Sequence, residues 1–222
     1  MNFRGRRTRF LSLLSAFLIL LAIWAAPVSA LENAYGFDYD PNRGVYSAIE
    51  TADPTIRGSI STEWSYMRVL VQRIIDGNVY YAEIGWLKGY RAGSTPRVYW
   101  TTRDRWGVVE EGVYWDWAPA VGVTYNYEVR HTQLDTWGLY FNGTNVKSAV
   151  VGWETADDWG SGGETPNGNQ GMGSSNNNNV QYLDPNGNWY SGAGYQVFNT
   201  RPDLYHVDAG ANTSSWRVWG NN

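Results

Sequence analysis

The chain has 222 residues, no cysteine, 13 Trp, 16 Tyr, two His and 17% charged residues. Without cysteine there is no disulfide scaffold, thiol catalysis or Cys-ligated zinc, and His131 with His206 cannot alone build a histidine-rich metal site. A formal charge of −4 argues against a nucleic-acid binder, which needs a basic surface to release phosphate counterions, and 43% hydrophobic residues argue against disorder.

The N-terminus reads as an address. Arg4, Arg6, Arg7 and Arg9 precede an apolar run over 10–26, broken by Ser12 and Ser15, and Pro27, Val28, Ser29 and Ala30 follow. This is the pattern of a signal peptide over 1–30 with cleavage before Leu31. The run is short for a membrane span, which needs about 20 apolar residues. The expectation is a secreted chain, free of the membrane after cleavage. The leader holds four of the 17 basic residues and none of the 21 acidic ones, so the remainder carries about −8. Export without cysteine fits a route that does not rely on disulfides, as in many bacteria.

After the leader no window carries a sustained helical stripe. Short β-branched and aromatic runs alternate with Gly, Asn, Asp and Pro, which is the signature of strands and turns. Strands are expected over 44–50, 58–75, 78–88, 97–102, 106–114, 121–131, 136–141, 146–153, 180–183, 195–199, 204–208 and 215–219. Asp76-Gly77 and Asn142-Gly143 mark hairpins, because these pairs accept the positive φ angles of a type I′ turn. Many strands at short spacing predict an all-β fold, a single antiparallel β-sandwich of jelly-roll type over 31–222. Its Trp and Tyr are mostly core, each burying about 150–250 Å².

Alternation in 78–88 separates two faces. Tyr80, Ala82, Ile84 and Trp86 share one; Val79, Tyr81, Glu83, Gly85 and Leu87 share the other. Glu83 is thus a carboxylate among apolar and aromatic neighbours, at a sheet edge or in a cleft. Gly85 beside it would leave room for a bound backbone. Residues 157–179 read as a long polar, glycine-rich loop, of the length that is disordered or functional. It holds Glu164.

Three segments carry a family resemblance. Tyr81-Ala82-Glu83-Ile84-Gly85-Trp86 follows the strand opened by Ser59-Ile60-Ser61-Thr62-Glu63-Trp64. Pro96-Arg97-Val98-Tyr99-Trp100-Thr101-Thr102 comes next. Thr136-Trp137-Gly138-Leu139-Tyr140-Phe141 then leads to Gly152-Trp153, Gly162-Gly163-Glu164 and Met172-Gly173-Ser174. In this order, over residues 43–175, they resemble the neprosin-type glutamic peptidases. The resemblance implies a secreted endopeptidase on a β-sandwich, acting on peptides at acidic pH and next to proline, with no cofactor or metal. Glu83 and Glu164 match the family's catalytic pair. Two close carboxyls do not both ionise cheaply, so one keeps a proton while the other activates water. Trp64, Trp86 and Tyr81 are expected to wall the substrate site. The family's familiar members carry an activation segment and cysteines; here only residues 31–43 precede the first expected strand, and cysteine is absent.

Other residues have plainer readings. Glu83 can pair with Arg68 or Arg73 across the hairpin, and Glu63 is a rival partner for Glu83. Asp157 and Asp158 read as a turn. Asp184-Pro185-Asn186-Gly187-Asn188 resembles a calcium loop but lacks a full ligand set. His131 and His206 read as structural. A second functional reading is a glycan-binding or non-catalytic sandwich, with Glu110, Glu111 and Asp116 beside Trp115 and Trp117 as sugar-site residues.

Overall fold

A computed structural model of the protein describes residues 31–193, 195–209 and 214–221. The expected leader over 1–30 lies outside the described residues. Fifteen strands follow one another. They are β1 (Glu32–Asp38), β2 (Gly44–Glu50), β3 (Trp64–Ile75), β4 (Asn78–Gly89), β5 (Gly93–Arg103), β6 (Val109–Tyr114), β7 (Thr124–Gln133) and β8 (Thr136–Phe141). Then come β9 (Thr144–Val150), β10 (Asp158–Thr165), β11 (Gly173–Leu183), β12 (Trp189–Ser191), β13 (Gln196–Asn199), β14 (Tyr205–Ala209) and β15 (Trp216–Gly220).

Every pairing is antiparallel, in two sheets. One has seven strands in the order β13-β1-β10-β3-β4-β5-β6, and the other runs β14-β15-β11-β2-β7-β8-β9 with β12 added at β11. The β-sandwich expected from the strand spacing is thus the architecture found. Asp76 and Gly77 take φ of 52° and 75° between β3 and β4, and Asn142 and Gly143 take 47° and 78° between β8 and β9. Both anticipated hairpins therefore turn with the positive φ angles that Asp-Gly and Asn-Gly tolerate.

The core lies between the sheets, where Met67, Val69, Ile84, Trp86 and Trp159 of one meet Val45, Tyr127, Trp137 and Leu139 of the other. Alternation along β4 sends Tyr80, Ala82, Ile84 and Trp86 into it, as the period of two predicts. Tyr81, Glu83 and Leu87 go to the outer face of the seven-stranded sheet.

Three readings need correction. Residues 157–179 are not one loop: they contain β10 and half of β11. β10 is the third strand of its sheet, paired with β1 on one side and β3 on the other, so its backbone groups are satisfied despite its glycines. The segment before the first expected strand holds β1, which pairs with β10 and β13. Residues 58–63 precede β3 as a turn, with Thr62 and Glu63 amides donating to the Ser59 carbonyl.

Candidate functional site

Three neighbouring strands build the site. β3 lies between β10 and β4, with Arg68 opposite Gly162 on one side and Gly85 on the other. Glu164 stands two residues along from Gly162, and Glu83 two residues along from Gly85. All four point to the outer face by the same alternation. The glycines flanking Arg68 let the neighbouring backbones come close. A Cβ at Gly162 would meet Ala34 O at 2.5 Å, and one at Gly85 would meet Met67 O at 1.8 Å. The space beside Gly85 is therefore filled by the next strand's backbone, not kept open for a ligand as its place in the sequence suggested.

Arg68 joins the two glutamates. Its Nε lies 2.6 Å from Glu83 Oε2 and its Nη2 lies 2.5 Å from Glu164 Oε2. Nη2 also donates to Asn33 Oδ1 of β1 at 3.1 Å. The guanidinium carbon sits 5.5 Å from the Tyr66 ring centre and 5.9 Å from that of Tyr35. Arg68 is 3% exposed and Glu83 8%. One guanidinium thus holds a buried carboxyl, Glu83, and a partly buried one, Glu164, with planar donors that a lysine would lack.

Burial is the main force on Glu83. It raises the carboxyl from 4.5 to about 7, against the opposing pull of Arg68 and with the help of negative charge at Glu164. Burial also works against charge on Arg68, but Glu164 and Glu83 more than offset it and hold the arginine above its ordinary value. Burial raises Tyr66 as well, with the field of Glu83 adding to it.

Beside the glutamates lies a cavity of about 300 Å³ lined by aromatic residues, among them Trp64, Tyr66, Tyr81, Tyr90 and Tyr99. Glu83, Glu164 and a third carboxyl, Glu111, reach it too. Tyr99 donates to Glu111 Oε2 at 2.5 Å, and Arg91 Nη2 lies 2.8 Å from Glu111 Oε1. Burial and these contacts raise the Tyr99 pKa, so its hydroxyl stays a donor.

The expected residues therefore divide. Glu83, Glu164, Trp64 and Tyr81 share the cavity. Trp86 does not: it is fully buried between the sheets, with its indole N–H donating to Glu50 O at 3.2 Å. Its even spacing from Tyr80 already put it on the face opposite Glu83. Arg68 is the partner of Glu83; Arg73 instead pairs with Asp157 at 2.5 Å. Glu63 turns away and accepts from Asn167 and Gln170 at 2.8 and 2.7 Å in a separate polar groove. Of the sugar-site residues only Glu111 reaches the cavity; Glu110 pairs with Lys147.

Asp184 accepts from the amides of Asn186 and Asn188, as a turn does. His131 contacts the Leu134 carbonyl, and His206 stacks on Trp219. Tyr66, Tyr99 and Asn33 were not singled out from sequence. Period-two counting from Arg68 finds Tyr66, but Tyr99 depends on the β4–β5 register, where it faces Gly85, and Asn33 on the unanticipated β1.

Comparisons with known proteins agree on the fold. No family model matches the chain, and no curated protein matches it. Among solved structures, scytalido-glutamic peptidase with a transition state analog inhibitor aligns with TM-score 0.62 at 11% identity, over 86% of this chain and 98% of that one. SCP-B, a member of the eqolisin family of peptidases in complex with the tripeptide Ala-Ile-His, aligns with TM-score 0.58 at 12% identity, over 85% and 98%. At this identity the likeness shows a shared β-sandwich. Among the described residues, no helix is long and apolar enough to cross a membrane.

Proposed function

We propose that the protein is a glutamic endopeptidase of neprosin type, exported by its leader and acting on peptides in acid. The observation that carries this is the meeting of Glu83 and Glu164, the two motif glutamates, on one buried arginine beside an aromatic cavity. Glycines, carboxylates and strand order make that meeting specific, whereas shared fold alone supports no activity. The solved neighbours' own status as peptidases is consistent with it.

Glu83 is the group suited to keep a proton in mildly acidic solution, because burial raises it to about 7. In the proposed reaction Glu164 takes the proton of a water that attacks the scissile carbonyl. Glu83 hydrogen-bonds the carbonyl oxygen and then protonates the leaving nitrogen. Arg68 holds both carboxyls in place and balances the charge as the proton moves. With Trp86 in the core, Trp64 and the tyrosines of the cavity are the surfaces left to receive a proline ring.

The test is hydrolysis of a proline-containing peptide by the protein lacking residues 1–30, at pH 3–7. Glu83→Gln and Glu164→Gln should each lose at least about 100-fold in kcat, the scale of general acid or base catalysis. Wild-type rates in both variants would overturn the assignment. N-terminal sequencing of protein recovered from the medium should begin at Leu31.

A further inference from the structure

A second cavity opens on the same outer face, beyond Arg68. It has a volume of about 70 Å³, enough for several water-sized groups, and is lined by Tyr35, Phe37, Tyr39, Phe198, Leu70 and Asp158, among others. The four rings form a connected cluster: Tyr35 to Phe37 5.8 Å, Tyr35 to Phe198 5.2 Å, Phe37 to Tyr39 5.0 Å and Phe37 to Phe198 6.2 Å between centres. Their substance is exposed in part: Tyr39 is 60% and Phe198 41% accessible.

Asp158 is the unusual member. It is 6% exposed, and among the described residues no hydrogen bond or ion pair reaches its carboxyl. Its neighbour Asp157 has taken the arginine available there, Arg73. Burial, with the charge of Asp157 added, raises Asp158 from 3.8 to about 7. A buried carboxyl without a partner is costly and is normally paired. Here what faces it is an aromatic wall, and aromatic faces attract cations.

We propose that the Asp158 cavity is a subsite for a cationic group of the peptide, an alkylammonium or guanidinium enclosed by Tyr35, Phe37, Tyr39 and Phe198. This rests on the peptidase reading above and names the substrate feature that reading lacks. Position supports it. Asp158 lies opposite Gln72, two residues along β3 from Leu70, and Leu70 lies opposite Glu83. Two strand spacings and two residue rises separate the Asp158 and Glu83 backbones by roughly 12 Å. An extended peptide spans that in about four residues. The cation therefore belongs three or four residues from the bond that is cut. It is either a Lys or Arg side chain or the free amino end of the peptide.

The test uses ten-residue peptides identical except for one Lys moved along the sequence, with norleucine at the same place as the control, each with a free or an acetylated N-terminus. At one Lys position, or for the free amine, KM measured at pH 7, where about half of Asp158 is ionised, should fall at least about tenfold against its neutral control. In Asp158→Asn that ratio should fall close to one. A Lys effect assigns the cavity to a side chain, and an amine effect assigns it to the chain end. No charge preference at any position, or a preference unchanged in Asp158→Asn, would overturn the proposal. Binding of the same peptides to Glu83→Gln, followed by tryptophan fluorescence, separates this from failure of the peptidase reading. Charge-dependent binding that Asp158→Asn removes would uphold the subsite even if no peptide is cleaved. Binding indifferent to charge would overturn it.

Discussion

The two ends of β10 treat a carboxyl of the outer face in opposite ways. Glu164 at one end lies 2.5 Å from Arg68, which also holds Glu83 and Asn33. Asp158 at the other end lies on the same face and is more deeply buried, with no cation within reach among the described residues. Residue 157, one step away and half-buried, has a simple ion pair with Arg73. β10 and the residue before it thus display a carboxyl held by an arginine, a buried one without a cation and a partly solvated ion pair. Sequence type alone does not rank them; the neighbouring strands do.

That ranking can be broken in order of size. Arg68→Met removes the shared countercharge and leaves the buried Glu83 beside Glu164 with no cation between them. It should cost about 3–5 kcal/mol in urea unfolding at pH 7.5, the scale for stripping one partner from a buried pair. The loss should shrink at pH 4, where Glu83 is protonated and its charge is gone. A loss under about 1 kcal/mol at both values would show that Arg68 is not what holds the site together.

Asp158→Asn should act in the other direction. Its carboxyl titrates near 3.8 when unfolded and at about 7 when folded. The folded state therefore holds the proton more tightly, and stability falls as pH rises through that window. Below about pH 3 both states are mostly protonated and the amide should change little. At pH 8 the full penalty applies, and the variant should be more stable by roughly 1–3 kcal/mol. A variant less stable than wild type at pH 8 would mean that Asp158 has a partner after all.

Arg73→Ala is the smallest expected effect. The Arg73–Asp157 pair is about a third exposed on each side, and pairs of that kind contribute about 0–1 kcal/mol. Asp157 also accepts from the Ile74 amide at 2.7 Å, which the substitution leaves in place. A loss above about 2 kcal/mol would erase the distinction drawn between residues 157 and 158.

How far the sequence could be read follows from the same strands. β4 was legible because its two faces differ in chemistry at every step, so Glu83 and its tyrosine neighbours followed from counting by two. β10 was not, because Asp158-Trp159-Gly160-Ser161-Gly162-Gly163-Glu164-Thr165 has the composition of a loop. It is a strand because Tyr35 and Leu70 fold over the bare glycines: a Cβ at Gly160 would meet them at 3.0 and 3.3 Å. That requirement resides in β1 and β3, not in β10 itself. Family resemblance still picked out Glu164, since motif order does not depend on guessing its secondary structure. Asp158 had no such help. Its significance needs β1, which supplies two of the four rings around it, with Tyr39 just beyond its end, and β1 does not stand out in the sequence.

The position of β1 also bears on how the chain reaches its folded form. Residue 32 pairs with residue 165, and residue 34 with residue 199, so the first strand of the sandwich docks against two of its late ones. Pairings between such distant positions make folding slow, because a large loop must close before any contact forms. Asn33 and Tyr35 ride on that strand, so the surroundings of Arg68 are complete only when most of the chain is available. For the export proposed above this delay is useful: the chain stays threadable during transit, and the carboxyls that meet on Arg68 are brought together only on the far side.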